Sequence, residues 1–382
     1  MIDSEAISCR FLRSVAEVPQ DMWNALSGHQ PFLRHEFLKA LEDSGSVGAG
    51  CGWYPEPLVI YRGAALAALV PVYRKTHSYG EYVFDWAWAR AYEMAGLHYY
   101  PKLVAAVPYT PVTGPRVLCG AERCDTDIVH AAARALRAHA AATGASSVHW
   151  LFTDAACRET LEAAGFSQRT GFQFHWHNDG WSSFGDYLAA LSAPKRKNIR
   201  RERRQVAEAG VRYVIHEGPV RHEALWDVFY DLYRTTIAKY GAIAYLTRDF
   251  FSRIGASVPG VVLVLGYVDT APVAGALFFR DETTLYGRYW GGLTPIPGLH
   301  FETCYYQAID YCLAHGLQRF EAGAQGAHKL SRGFLPTPTY SMHWLDHPQF
   351  QRAVDDFLAR ENAGLEMTLN ELNEHTPFRR PS

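Results

Sequence analysis

The sequence predicts an α/β fold built twice over, and three observations carry that expectation. First, 382 residues with 48% apolar and 20% charged side chains can bury a sizeable core, which excludes a disordered chain or a small disulfide-held scaffold. Second, short runs rich in β-branched and aromatic residues alternate with longer runs of helical spacing. Third, a series of landmarks recurs in the same order in the two halves, and such repetition decides the architecture before any single element does.

The landmarks begin with a short helix, Phe32 to Leu41 (FLRHEFLKAL) in one half and Tyr245 to Ile254 (YLTRDFFSRI) in the other. A strand pair follows each, Leu58 to Tyr73 and Val261 to Arg280, and then a short aromatic strand, Tyr79-Gly80-Glu81-Tyr82 or Tyr286-Gly287-Arg288-Tyr289. Helices over Asp127 to Thr143 and Phe301 to His315 stop at Gly144 and Gly316, the residue type that takes the left-handed turn after a helix. Gly165-Phe166 stands as far before His175-Trp176 as Gly333-Phe334 does before His343-Trp344. This recurrence favours a packing role for His175 and His343. Each unit reads helix, antiparallel strands, helix, strand, which places domains at 1–180 and 181–382. The first carries an insertion near 85–126, rich in Pro and aromatic residues, that is expected to line a cleft or the contact between the halves, or simply to pack as a loop. Phe350, Val354, Phe357 and Leu358 mark a C-terminal amphipathic helix.

The opening residues carry acids and a Cys where a secretory signal needs a basic start and an apolar run. The strongest apolar run, Val261 to Val268, falls far short of the roughly 20 residues that span a bilayer. A cytoplasmic protein with no membrane span is expected. The seven cysteines form no Cys-x-x-Cys pair, so reduced, structural thiols are expected.

Lys+Arg is 37 against Asp+Glu 39, a formal charge of −2, which excludes a general polyanion binder. The charge is not evenly spread. A helix opened by Ser192 and Pro194 and closed by Gly210, about 193–209, contains Lys195 to Arg204, in which seven of ten residues are basic and one, Glu202, is acidic. Helical spacing puts Lys197, Arg200, Arg201 and Arg204 on one face and Ile199 and Val206 on the buried one. Like charges at that spacing repel unless an anion sits among them. A phosphate-bearing partner is one reading, whether a nucleotide-linked substrate, coenzyme A or a tRNA acceptor end, and a solvated helix face is the other. No DNA-binding motif accompanies the run.

The densest polar and aromatic stretch lies at 286–334. A strand ending Arg288-Tyr289-Trp290 runs into a Gly/Pro loop, and a helix with His300, Glu302 and Tyr305 follows, its first N–H groups free to hold a phosphate or an oxyanion. A second strand, Arg319-Phe320-Glu321, ends in a glycine loop followed by Gln325, His328, Lys329 and Arg332, the composition of a site at a strand end. His300, Glu302, Glu321 and His328 have no metal-ligand spacing, so no metal site is expected. Glu321 is either a base or a hydrogen-bond anchor. No Gly-x-Ser-x-Gly elbow or Walker loop occurs.

His300-Phe301-Glu302, Cys304-Tyr305-Tyr306, Phe320-Glu321-Ala322-Gly323-Ala324-Gln325-Gly326, His328-Lys329 and Arg332-Gly333-Phe334-x-Pro336 together resemble the signature of the FemAB-like predicted N-acyltransferases. Lys195 to Arg204 and Gly52-Trp53 share the resemblance, which covers most of the chain. It implies two tandem GNAT-like acyltransferase folds, with mixed, largely antiparallel sheets flanked by helices. It also implies that Lys329 stabilises the reacting carbonyl and that Lys195, Lys197, Arg200 and Arg201 clamp phosphate. Relatives of the FemABX type use aminoacyl-tRNA to extend a peptidoglycan precursor, but their coiled-coil arm has no counterpart here. A coenzyme A pattern starts at Arg288 and is broken at Leu293.

The expected activity is therefore N-acyl transfer from aminoacyl-tRNA or acyl-CoA to an amine, in peptidoglycan-related or peptide metabolism, with no tightly bound cofactor. Lys329 would meet the oxyanion and Glu321 or His328 would take the amine proton. Arg204, Arg288, Tyr289, Trp290, His300, Glu302, Tyr305, Gln325 and Arg332 would contact substrate. An acetyl-CoA-dependent acetyltransferase and a non-catalytic module binding cell-wall precursors are the alternatives.

Overall fold

The computed structural model describes residues 6–120, 124–239, 241, 243–324 and 326–379. The chain forms two compact units, Met1–Gly171 with Pro338–Met367 and Phe172–Thr337 with Thr368–Ser382. In chain order the elements are β1 (Ile7–Phe11), α1 (Gln20–Ser27), α2 (His35–Asp43), β2 (Trp53–Pro55), β3 (Leu58–Arg62), β4 (Ala65–Val70), β5 (Val72–Lys75), α3 (Trp86–Met94), β6 (Lys102–Ala105), α4 (Thr126–Thr143), β7 (Ser147–Trp150), α5 (Ala155–Ala163) and β8 (Ser167–His177). There follow α6 (Phe184–Ala190), α7 (Ala193–Glu208), β9 (Val211–Glu217), α8 (Glu223–Lys239), α9 (Arg248–Ser257), β10 (Val261–Val268), β11 (Ala271–Arg280) and β12 (Thr284–Gly292). Leu299–Phe301, the π turn Glu302–Tyr306 and Gln307–Ala314 run on as one helix, α10, and β13 (Arg319–Glu321), β14 (Leu335–Leu345) and α11 (Pro348–Glu374) complete the chain.

In the first unit a main sheet has the order β2-β5-β6-β7-β14, with β6 and β7 parallel, and a smaller sheet has the order β1-β3-β4. The alanine-rich α4 covers it because Ile128, Ala132, Ala133, Leu136 and Ala140 recur at helical spacing and bury against Leu103, Val148 and Trp150. Asp125 caps its start by accepting the Asp127 N–H at 3.0 Å, and Gly144, at φ +69°, ends it as the sequence predicts. Beside this core runs a buried polar chain. Lys102 donates to Glu81 at 2.8 Å and also pairs with Asp85; Tyr99 donates to Asp85 at 2.7 Å and meets His149 at 3.2 Å; and His149 meets His343 at 2.8 Å. His343 thus packs inside the unit.

Four sequence expectations change here. Tyr79-Gly80-Glu81-Tyr82 forms no strand, because Gly80 and Tyr82 take positive φ (+82° and +60°) and the resulting turn sends Glu81 inward to Lys102. Leu58 to Tyr73 is not one hairpin but parts of three strands, interrupted at Pro71, which has no N–H for a ladder. The insertion contributes β6 to the sheet. In place of wholly reduced thiols, Cys119 and Cys124 are joined in a disulfide.

In the second unit the sheet order is β8-β13-β12-β11-β10-β9. α8 lies on one face, so close that a Cβ added at Gly291 would stand 1.7 Å from the Leu232 carbonyl oxygen. On the other face Ile309 and Cys312 of α10 and Ile199 of α7 pack with Val262, Val264, Ala276 and Phe278. The basic helix is placed as its apolar spacing predicts, with Ile199 and Val206 buried, and Glu202 is buried beside them.

Candidate active site

The site begins where β12 and β13 part. They pair in parallel over three positions, ending at Tyr286↔Glu321, while β12 runs on to Gly292 against β11. The three-residue β13 ends because the chain turns at Gly323, at φ +76°. A cavity of about 80 Å³ is lined there by Arg288, Tyr289 and Trp290 of β12, by Phe320 and Ala322, and by His300, Cys304 and Tyr305 of α10. The helix reaches this position through Gly298, whose φ of +85° favours glycine and whose Cβ would meet the Glu202 carbonyl oxygen of α7 at 3.1 Å. The π turn then widens the helix over the very residues that line the cavity, a distortion common at functional sites.

Lys329 stands on the 3₁₀ turn Ala327–Arg332 and is 2% exposed. Its ammonium donates to the Gly323 carbonyl at 2.8 Å and has no carboxylate partner among the described residues. Burial lowers it to about 8, opposed by the nearby Cys304 thiol. Burial drives that thiol far above its ordinary range, so Cys304 is a neutral lining group. His328 is exposed, meets the Tyr305 hydroxyl at 2.9 Å, and is held below its ordinary value by burial and by Arg332 and Lys329. His300, its ring 4.4 Å from that of Trp290, is lowered to about 4 by burial and is neutral.

Glu321 is buried and raised to about 7 by that burial, against the pull of Arg319, whose Nε lies 3.2 Å from Oε1. Its Oε2 is buried with no hydrogen-bond partner among the described residues. Strand alternation puts Glu321 on the face opposite Phe320, with its register neighbours Tyr286 and His175. The structure therefore groups Lys329 and His328 with Cys304 and Tyr305, and sets Glu321 among Arg319, Tyr286 and His175. His175 is lowered to about 3 by burial and by Arg319.

On α7, Lys197, Arg200, Arg201 and Arg204 are exposed on one face and Lys195 is half-buried. Lys195, Lys197 and Arg200 have no ion-pair partner among the described residues, while Arg204 lies 3.6 Å from Glu208. The other two basic residues work inside the fold: Arg196 donates to carbonyls at the end of α6, and Arg203 pairs with Asp310 at 2.7 Å and Glu302 at 3.1 Å. Glu302 therefore faces Arg203, and Arg332 is buried against Glu202 at 2.7 Å. Gln325 lies outside the described residues. Sequence reasoning missed Glu202 and Tyr306 as a buried pair; the lone acid in a basic run was the signal available.

No helix among the described residues is long and apolar enough to cross a membrane. No curated protein sequence matches the chain. Among solved structures it is similar to FemX (TM-score 0.52, 10% identity, 84% of this chain and 94% of that one). It is also similar to the C-terminal domain of a putative lysylphosphatidylglycerol synthetase from Agrobacterium fabrum (TM-score 0.55, 11% identity, 89% and 96%). A tandem GNAT protein from the clavulanic acid biosynthesis pathway aligns at TM-score 0.44 and 10% identity over 90% and 99%. The fold is thus mixed α/β, similar to those of FemX and the synthetase domain. The profile of the FemAB-like family, described by peptidoglycan biosynthesis and recognition, matches residues 14–380, and the chain belongs to that family.

Proposed function

We propose that the protein is an N-acyltransferase that moves an aminoacyl or acyl group from an activated donor to an amine, with aminoacyl-tRNA or acyl-CoA as co-substrate and no tightly bound cofactor. The family and the fold support a transferase role. The observation that carries the chemistry is the buried, carboxylate-free Lys329 on the turn that follows the parting of β12 and β13. Acyl transfer needs a donor carbonyl held in a water-poor recess and a fixed positive charge where the oxyanion develops. The amine nitrogen attacks the carbonyl carbon, Lys329 donates a hydrogen bond to the oxygen as it gains charge, and the donor's ester or thioester bond breaks as the tetrahedral species collapses. His328, which meets the Tyr305 hydroxyl of the cavity, takes the proton that the amine loses, while Glu321 faces the other side of β13.

Lys195, Lys197, Arg200 and Arg201 would hold phosphates of the donor or of a nucleotide-linked acceptor; the first three have no ion-pair partner among the described residues, and Lys197 and Arg200 are also exposed, which supports that role. A peptidoglycan precursor is the acceptor class that the family description favours. Melting the protein with coenzyme A or with aminoacyl-tRNA separates the donors, since only a ligand of the folded state raises the melting temperature. A shift with neither, at saturating concentration, would count against both.

A further inference from the structure

Between the basic helix and the Lys329 turn lies a buried polar cluster that the proposed chemistry does not use. Arg332 Nη2 donates to Glu202 Oε1 at 2.7 Å, Arg332 Nε donates to the Tyr306 hydroxyl at 3.0 Å, and that hydroxyl donates in turn to Glu202 Oε2. The remaining arm of the guanidinium, Nη1, donates to the His328 carbonyl at 2.9 Å, the residue immediately before Lys329. Its carbon sits 3.4 Å above the Phe301 ring centroid. One side chain thus joins three elements: α7 through Glu202, the π turn of α10 through Tyr306, and the 3₁₀ turn through His328. A buried ion pair of this kind is weak evidence for stability but a strong geometric constraint, because a stacked guanidinium that donates from each of its three nitrogens to a different group fixes what it touches.

The cluster also reaches the surface. Glu202 Oε1 accepts from Asn198 Nδ2 at 2.7 Å, and Asn198 Oδ1 accepts from Arg201 Nη2 at 2.5 Å. Arg201 is exposed on the face that carries Lys197 and Arg200. It is the side chain of that face with a hydrogen bond leading inward to Glu202.

We propose that Arg332 is a positioning residue that seats Lys329 against the basic helix, and that an anion taken up at Lys197, Arg200 and Arg201 is registered at Lys329 through Asn198 and Glu202. The inference rests on the reading of Lys329 and the basic helix given above. Its physical basis is differential bonding: an anion that draws Arg201 outward removes a donor from Asn198, which changes how Glu202 is shared with Arg332.

Trace acetylation of Lys329 by acetic anhydride at fixed pH, read by peptide mass spectrometry with and without inorganic pyrophosphate, tests this without any acyl-transfer assay. In the wild-type protein pyrophosphate should change the Lys329 labelling rate about 5-fold, the low end of ordinary coupling between sites. Asn198→Ala should abolish that response. Arg332→Met should change the basal rate and Arg332→Lys should restore part of it. A pyrophosphate effect of the same size in Asn198→Ala would mean that the anion acts on Lys329 directly through space and would overturn the relay, as would no response in the wild type. Where Arg332→Met does not fold, Asn198→Ala, a change at a partly exposed helical position, still decides. Loss of transferase activity with the labelling pattern intact would refute the proposed function and leave the coupling standing.

Discussion

Replacing Lys329 with Met should separate function from stability in a way that a merely structural lysine would not. Met keeps much of the length and removes the charge. In the folded protein burial lowers Lys329 from 10.5 to about 8, so below pH 8 the fold holds a charged ammonium at a cost of about 3 kcal/mol, taking 1.36 kcal/mol per unit. Against this stands one charge-assisted hydrogen bond to the Gly323 carbonyl, worth about 1–3 kcal/mol. The variant should therefore be as stable as the parent at pH 7 or more stable by up to about 2 kcal/mol, while turnover falls by roughly 10²–10³ if the ammonium meets the oxyanion. The pH dependence gives an independent check. Between pH 8 and 10.5 the unfolded chain still holds a proton that the folded chain has released, so wild-type stability should rise with pH through that window and the variant's should not. Urea melts across pH 7 to 10.5 and kcat/KM at pH 7 measure the two arms. A variant that loses several kcal/mol yet turns over normally would refute the assignment.

Other outcomes follow from the same geometry. Glu321 has a folded value raised from 4.5 to about 7, so the folded chain keeps a proton that the unfolded chain loses and stability should fall as pH rises from 4.5 to 7; Glu321→Gln should flatten that limb in thermal melts. Changing Lys195, Lys197 and Arg200 together to Ala should leave the melting temperature within a few degrees but weaken pyrophosphate or tRNA binding about tenfold or more at low salt, measured by fluorescence titration, with the difference shrinking at high salt. Gly291→Ala puts a Cβ 1.7 Å from the backbone of Leu232, so α8 must move by more than 1 Å from β12; a loss of soluble, cooperatively melting protein is expected, and a wild-type melt would contradict that packing.

Why the sequence yields some of this and withholds the rest is clear from particular residues. The duplication was legible because helix stops such as Gly144 and Gly316 and the equal spacing from Gly-Phe to His-Trp are local and periodic. Ile199 and Val206 gave the buried face of α7 for the same reason. Tyr79 to Tyr82 misled because aromatic composition reads as a strand, whereas a buried partner far along the chain, Lys102, pulls Glu81 into a turn. In the site, residue types pointed to Lys329, His328 and Glu321, but composition carries no information on which face of β13 Glu321 occupies or where the following turn sets Lys329 and His328, and the fold divides them. Glu202 reads as the lone acid of an exposed basic run and Arg332 as a substrate contact in the loop after β13. Only the fold shows them buried against each other, 130 positions apart in sequence.

The most direct test of the central claim is covalent transfer itself. The wild-type protein and Lys329→Met are each incubated with isotope-labelled acyl-CoA or aminoacyl-tRNA and an amine-bearing peptidoglycan precursor, and the precursor is weighed by mass spectrometry. The account predicts a product heavier by the acyl group, dependent on donor and protein and reduced at least a hundredfold in the variant. Saturable binding of the precursor with no mass shift from either donor would contradict it and leave a binding module in its place.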